Sequence, residues 1–487
     1  MDARKSIGLV LGPLLFVAVL ASPLLGENPA ARKVLAVFAL VAVWWVTEAL
    51  PIPITALLIP VLFTALRVAG AEEAFAPLAN PIIFLFLGSF ILARAMSLHG
   101  LDRRLALGLI SRKRVGRNPS RLLLAFGVVS AGLSLWLSNT ATTAMMFPIA
   151  LGVLSAFPPE KEGEKGRSFF VTLLLMTAYG ASVGGIGTPV GSPPNLITIA
   201  MLDKLAGVRI SFFHWMILAA LVAVPMMAVL YFYLKFRTGK HLPSAPPAVR
   251  AASAEKLGPL TRAEKNVLVA FSLTVTLWVL PGFLSIAFGP DCRAAGWLQK
   301  TVPESSAALL GAGLLFLLPV NLKEGRFTCS LGEALQIDWG TLLLFGGGLS
   351  LGTQMFHSGL AEAIGVSFLG MGGRAVSAPL LTLLTVSFSV FLTEVVSNTA
   401  AANMVIPVVI AVCRASGLDP AAPAIGAGLA CSFAFMMPVA TPPNAIIYGS
   451  GRIPLSSMIR AGLVLNLFGI AIIWTGVCVL APLLGLL

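Results

Sequence analysis

Charged side chains are scarce in this chain: they make up 11% of its 487 residues, against roughly 25% in an ordinary soluble domain. That shortage excludes a mostly water-facing surface. Cysteine is nearly as sparse, and the five present (Cys292, Cys329, Cys413, Cys431, Cys478) show no metal-ligand spacing, which argues against a zinc module or a disulfide framework. The four histidines (His99, His214, His241, His357) stand apart from one another and offer no metal motif. No nucleophile and base, and no His/Glu metal pattern, fall within the apolar runs, so the composition speaks against an intramembrane enzyme. The glycine-rich "GGIGTPVG", Gly184 to Gly191, lacks a Walker lysine and leads into prolines, so it is not a phosphate loop.

What the chain has instead is apolar length. Hydrophobic residues are 57% of the total and mean hydropathy is +0.93. Segments of about 20 apolar residues recur, each able to cross a hydrocarbon core of about 30 Å as a helix. They lie near 7–25, 34–50, 52–69, 81–98, 169–188, 212–234, 266–284, 305–320, 338–363, 421–440 and 460–485. The expected fold is an all-α integral membrane protein with eleven transmembrane helices. The first run follows Arg4 and Lys5 but lacks a small-residue cleavage site, so it reads as a retained span.

The net charge of +13 does not point to nucleic acid, because the basic residues sit in short loops beside apolar runs, where topology signals belong. The stretch from Arg103 to Arg121 carries seven basic residues against Asp102, and Lys235 to Lys265 carries seven against Glu255 and Glu264. Both are expected on the cytoplasmic side, with the amino terminus inside and the carboxyl terminus outside. Arg32 and Lys33 run against this rule.

Two further apolar stretches, about 121–155 and about 377–413, are interrupted by polar text. "LSNTATTAMMFP" (Leu137 to Pro148) returns as "VSNTAAANMVIP" (Val396 to Pro407). Each half is short for a span, so both stretches read as re-entrant hairpins. Ser138, Asn139 and Thr140 stand 259 residues before Ser397, Asn398 and Thr399, and Ser134 stands at the same distance before Thr393. Downstream, "VGSPPNLI" (Val190 to Ile197) pairs with "VATPPNAI" (Val439 to Ile446) at 249, the insert Pro158 to Arg167 absorbing the difference. By the span count the two hairpins enter from opposite sides, which makes the repeat inverted. Inverted repeats with matching helix breaks are the sequence sign of a secondary transporter with a midplane site.

The division expected is an N-terminal span (1–33), a first repeat (34–240) with its hairpin on the inner side, a cytoplasmic linker (241–265) and a second repeat (266–487) with its hairpin on the outer side. A helix starting after each tip presents unpaired N–H groups and a positive dipole end to an anion. Hydroxyl, amide and backbone oxygens at the breaks suit a hard cation such as Na⁺. Neither motif holds Lys or Arg, so a bound dianion calls for co-bound sodium. Glu48, Arg94 and Glu394 are ionisable residues in or near spans; Glu394 faces Leu135 in the repeat alignment, and its role stays open.

At these paired motifs, and at "WWVTEALP", the chain resembles the divalent anion/sodium symporter (DASS) family of sodium-coupled di- and tricarboxylate transporters along nearly its whole length. The resemblance implies a homodimer in a bacterial-type inner membrane, working by an elevator movement. It also implies that Ser138, Asn139, Thr140, Ser397, Asn398 and Thr399 contact substrate carboxylates, with Ser192, Thr441 and Pro442 nearby. One sodium shell would use Ser134, Ser138, Asn139 and Gly191, the other Thr393, Asn398 and Ala440. The expected activity is Na⁺-coupled symport of C4-dicarboxylates such as succinate, malate or fumarate; the alternatives are a sodium-independent dicarboxylate exchanger and a citrate or sulfate carrier. A channel would instead need a continuous polar face.

Overall fold

In the computed structural model of the chain, the described residues are all but 1–2, 27, 112–114, 116–117, 156–163, 239–257, 290, 371–375, 485 and 487. Outside them lie most of the insert 158–167, Arg112, Lys113, Arg114 and Arg117 of the first basic stretch, and the linker residues 241–257 with His241.

The described chain is helical apart from one small antiparallel hairpin, Pro319–Asn321 with Arg326–Phe327. Local sequence fixes many helix starts. Three helices open on Asn-Pro: Asn28, Asn80 and Asn118 accept N–H groups from the first turns of Pro29–Thr47, Pro81–Leu98 and Pro119–Ser134. The asparagine oxygen satisfies an orphan donor, and the proline occupies a first-turn position that needs none. Thr261 and Glu264 form a reciprocal capping box at the start of Arg262–Phe288.

Eight helices among the described residues are long and apolar enough to cross a membrane. Seven coincide with expected spans. The eighth, Asn398–Ala415, is the returning arm of the second split segment. The remaining expected spans are shorter or more broken: Ile52–Ala65, Glu304–Leu317, Trp339–His357 and Ala421–Ala430. A helix of 14 residues, such as Ile52–Ala65 or Glu304–Leu317, rises about 21 Å, which is less than the hydrocarbon core.

Three stretches depart from the expected layout. The basic stretch after Asp102 begins as a helix, Leu101–Ile110, that buries Leu101, Ala106, Leu107 and Ile110 on one face and leaves Arg103 on the other. The connection between the spans expected near 266–284 and 305–320 contains the helix Arg293–Thr301. The span near 338–363 ends at His357, where Gly359 takes a left-handed backbone (φ +79°) and a new helix, Leu360–Gly370, begins. Gly100 does the same (φ +67°) between Pro81–Leu98 and Leu101–Ile110. Gly100 and Gly359 are 259 residues apart, so the repeat read at the tips extends back through the preceding helix pair.

The helices pair in two sets, which meet where Trp339–His357 and Leu360–Gly370 lie against Asn398–Ala415. Ala3–Ala21 packs on Pro29–Thr47, Ile52–Ala65 on Trp339–His357, and Pro81–Leu98 on Glu304–Leu317. In the other group, Pro119–Ser134 lies against Glu164–Gly185 and Ala378–Leu392 against Ala421–Ala430. The repeats exchange their short broken helices: Pro193–Met201 packs on Asn398–Ala415, and Pro442–Tyr448 on Asn139–Ser155. The difference in environment is large. Within Ser168–Gly185, 94% of the span is buried, whereas in Ala3–Ala21 it is 11%.

Candidate functional site

Each polar interruption folds as a helix, a short non-helical tip and a second helix. The first runs Pro119–Ser134, then Asn139–Ser155; the second runs Ala378–Leu392, then Asn398–Ala415. At the first tip the Ser134 hydroxyl donates to Asn139 Oδ1 at 2.7 Å. At the second, Thr393 Oγ1 donates to Asn398 Oδ1 at 2.8 Å and also reaches the Cys431 carbonyl at 2.8 Å. The two tips thus carry one bond in one register. Ser138 Oγ accepts from Ala141 N–H and Ser397 Oγ from Ala400 N–H, so both serines cap the returning helix. The earlier N–H groups of each helix, at Asn139 and Thr140 and at Asn398 and Thr399, have no intrahelical acceptor by helix geometry.

The matching breaks follow the same plan. Glu164–Gly185 ends before Pro193–Met201, and Ala421–Ala430 before Pro442–Tyr448. The asparagine of each Pro-Pro-Asn ties the unwound chain together. Asn195 Nδ2 donates to the carbonyls of Gly185 (3.0 Å) and Thr188 (2.7 Å); Asn444 Nδ2 donates to those of Ala434 (2.9 Å) and Met437 (3.0 Å). All three pairs stand at the separation of 249. Sequence reasoning gave these asparagines no role, although each is the last polar letter of the repeated motif.

Beside the first tip the break forms an oxygen cradle. A methyl carbon placed on Gly191 would lie 2.6 Å from the carbonyl oxygens of both Gly185 and Ser134 and 3.1 Å from that of Leu135; one placed on Gly185 would lie 2.1 Å from Asn139 Oδ1. Only glycine leaves this space open. Three of these oxygens already accept one hydrogen bond each, Gly185 from Asn195, Leu135 from Thr188 and Asn139 Oδ1 from Ser134; each keeps a second lone pair, and oxygens converging in this way suit a small hard cation. Ser134, Asn139 and Gly191 are therefore brought together, with Ser138 at the exposed edge. At the second tip Thr393 and Asn398 meet, and Ala440 is buried in the facing break, where its N–H donates to Met437.

The remaining expected substrate residues divide by exposure. Thr140 and Pro442 are exposed, and Asn398 and Thr399 are half-buried. Thr441 is buried, and so is Ser192, whose hydroxyl lies 2.9 Å from that of Ser432. A cavity of about 550 Å³ opens onto Ser138 and Gly191, with Arg94, Arg103, Asp102 and Asp338 along its wall.

Glu394 has a clear structural role. Its buried carboxylate accepts three consecutive N–H groups, Phe435 (2.8 Å), Met436 (2.8 Å) and Met437 (2.9 Å), and Asn466 Nδ2 at 2.7 Å. It holds the second break to the second tip. In the first repeat the Leu135 carbonyl does the equivalent task, accepting the Thr188 hydroxyl. Glu48, by contrast, is exposed and ends Pro29–Thr47 in a left-handed conformation. The three described histidines have side-chain partners, His99 the Thr328 carbonyl, His214 Ser211 and His357 Glu73.

Twin tips facing twin breaks, each with an oxygen pair and free helix N–H groups, match what comparison with known proteins finds. The family model described as the sodium:sulfate symporter transmembrane region matches residues 5–487. The chain belongs to this family, the divalent anion/sodium symporters. It is a multi-pass membrane transporter and not an enzyme, in a family whose co-transported ion is sodium. Among its relatives, the sodium-dependent dicarboxylate transporter SdcS of Staphylococcus saprophyticus is 36% identical over 494 residues, covering 99% of this chain and 92% of that protein. The transporter of the same name from Staphylococcus aureus strain USA300 is 34% identical over 483 residues, covering 97% and 90%. Among solved structures, the YdaH transporter of Alcanivorax borkumensis aligns with a TM-score of 0.57 at 15% identity, over 97% of each chain. MtrF of Neisseria gonorrhoeae aligns at 0.59 and 14%, over 98% of this chain and 95% of that chain. At those identities the likeness is one of fold.

Proposed function

We propose that this transporter couples the inward movement of Na⁺ to uptake of C4-dicarboxylates such as succinate, malate or fumarate. The observation that carries the reading is the doubled oxygen pair, Ser134 with Asn139 and Thr393 with Asn398, each at the first turn of a helix. Each tip offers oxygens on one side for a cation and N–H and hydroxyl donors on the other for a carboxylate. Two tips suit a substrate with two carboxylates. The dicarboxylate transporters among the relatives point to the same substrate class.

In this reading the chain has eleven spans and two re-entrant hairpins, with the amino terminus cytoplasmic and the carboxyl terminus outside, and it works as a homodimer. The group of hairpins and broken helices carries substrate and ions, and moves as a body against the group built on Ala3–Ala21, Ile52–Ala65 and Trp339–His357. The packing of each short broken helix on the other repeat's returning helix supports such a unit. The cavity at Ser138 opens beside Leu101–Ile110 and its arginines, which in this topology is the cytoplasmic face.

Proteoliposomes with an imposed inward Na⁺ gradient should accumulate labelled succinate above its external concentration. Uptake that ignores Na⁺ and requires internal dicarboxylate would make the protein an exchanger. Accumulation of sulfate or citrate in preference to succinate would move it to the other substrate classes carried in the family.

A further inference from the structure

The cavity that reaches the first tip contains a cation that the symport reading does not use. Arg94 lies within Pro81–Leu98, an otherwise uncharged apolar helix, and it lines the same cavity as Ser138 and Gly191. Its guanidinium donates one hydrogen bond, to Gln336 Oε1. Its Nε is buried without a partner, and among the described residues it makes no ion pair. A half-buried arginine in an apolar helix, without a carboxylate partner among the described residues, carries a functional presumption.

The acids on the cavity wall do not neutralise it by contact. Asp102 accepts the Ser97 hydroxyl (2.8 Å) and the Arg103 N–H (2.7 Å) in the first turn of Leu101–Ile110. Asp338 caps Trp339–His357, accepting from the N–H and hydroxyl of Thr341. Each carboxylate thus faces the positive end of its own helix, which offsets its charge. Arg103, the other basic residue on the wall, follows Asp102 in that first turn.

The repeat makes the feature one-sided. The position 259 residues after Arg94 is Thr353, which is buried and neutral. The approach to the first tip therefore carries a fixed positive charge that the approach to the second lacks at the equivalent place. We propose that Arg94 forms a vestibular carboxylate subsite, which attracts the dianion at the face where this cavity opens and raises apparent affinity on that face alone. The guanidinium N–H groups not bonded to Gln336 would receive one carboxylate, while the other stays available to the Ser138 tip. With Asp102 and Asp338 each turned to its own helix start, the Arg94 guanidinium is the group left to attract a dianion, in a manner that salt screens.

This inference rests on the dicarboxylate symport reading, and the test separates the two. Succinate uptake is measured in right-side-out and in inside-out membrane vesicles at fixed Na⁺, with choline chloride used to vary ionic strength. If wild type transports succinate in neither, the symport reading fails. If wild type transports, Arg94→Gln should raise KM about five- to tenfold at the cavity face at low ionic strength. That rise should shrink toward twofold or less at high salt and be absent at the opposite face. Arg94→Lys, which keeps the charge, should stay within about twofold of wild type. Gln336→Ala removes only the hydrogen bond and should leave KM unchanged on both faces. Equal losses at both faces, a loss insensitive to salt, or a Gln336→Ala effect as large as that of Arg94→Gln would each overturn the subsite.

Discussion

The two tips share one architecture but hold their breaks together differently. At the first, the binding is neutral: Thr188 bonds to the Leu135 carbonyl, and Gly185 and Gly191 leave an open cradle of oxygens. At the second, a carboxylate does the work, with Glu394 gathering Phe435, Met436, Met437 and Asn466, while Ala440 occupies the place of Gly191. Shared are the Ser/Thr-to-Asn bond, the serine caps and the asparagine that ties each break to itself. Duplication thus preserves the oxygens a cation needs and the internal tie of each break, while the contact that fastens break to tip has diverged.

The strongest test of the shared part is removal of the asparagines. Asn139→Ala and Asn398→Ala should each reduce Na⁺-dependent succinate uptake to background while leaving protein that extracts and purifies as wild type, because each carboxamide sits at the junction of the oxygen pair and the helix start. If either variant transports normally, that tip is a cap and nothing more, and the symmetry is only structural.

The divergent part is probed next. Glu394→Gln keeps the shape but turns a four-donor acceptor into a group with one oxygen and an NH₂. Leaving buried donors unsatisfied costs about 1–3 kcal/mol each, so thermal unfolding in detergent should move down by several degrees and uptake should fall about tenfold or more. Leu135→Met, at the repeat-equivalent position, should change the melting temperature by much less. Equal melting temperatures for wild type and Glu394→Gln would show that the carboxylate does not hold the second break.

The open cradle gives a sharper contrast. Gly191→Ala places a methyl group 2.6 Å from two carbonyl oxygens, so Na⁺ affinity from binding titration should fall at least about tenfold, equivalent to about 1.4 kcal/mol. Ala440→Gly, its mate in the other repeat, should change Na⁺ affinity less than threefold, since it only adds backbone freedom worth about 0.5–1 kcal/mol. If both substitutions act alike, the first cradle is not a cation site.

The finest expected difference lies within one tip. Thr399→Val removes one hydroxyl, costing roughly 1.5–3 kcal/mol against a charged carboxylate, or about ten- to a hundredfold in succinate affinity. The Na⁺ affinity of the substrate-free protein should hardly change. Thr393→Val should weaken Na⁺ first and succinate through coupling. Titrating both ligands on both variants checks the division; equal loss of intrinsic Na⁺ binding would erase it.

Much of this was legible in the sequence, because hydropathy, helix breaks and repeated letters are local signals. The polar tips at Ser138 and Ser397 and the Pro-Pro-Asn breaks stood out against apolar surroundings, and the family followed from them. Other features depended on distance. Glu394 binds N–H groups 41, 42 and 43 residues away, and backbone donors leave no mark in the sequence. Leu101–Ile110 was hidden by its arginines, because charge marked the stretch as a loop while the buried face at Leu101, Leu107 and Ile110 made it a helix. Arg94 was visible as a charge near a span end, but only packing shows that it shares a cavity with Ser138. The oxygen cradle was obscured for a related reason: the glycines of Gly184 to Gly191 stand out as letters, but the sequence does not show which carbonyls meet at Gly191.

The central claim is that both tips bind a cation as well as a carboxylate, and the Na⁺ dependence of succinate uptake addresses it most directly. With two cooperating cation sites, initial rates at fixed succinate should rise sigmoidally with external Na⁺, with a Hill coefficient near 2 in wild type. Gly191→Ala and Thr393→Val, each weakening a different tip, should bring the residual uptake toward a coefficient of about 1. A hyperbolic Na⁺ dependence in wild type, unchanged in both variants, would contradict the account of two equivalent tips.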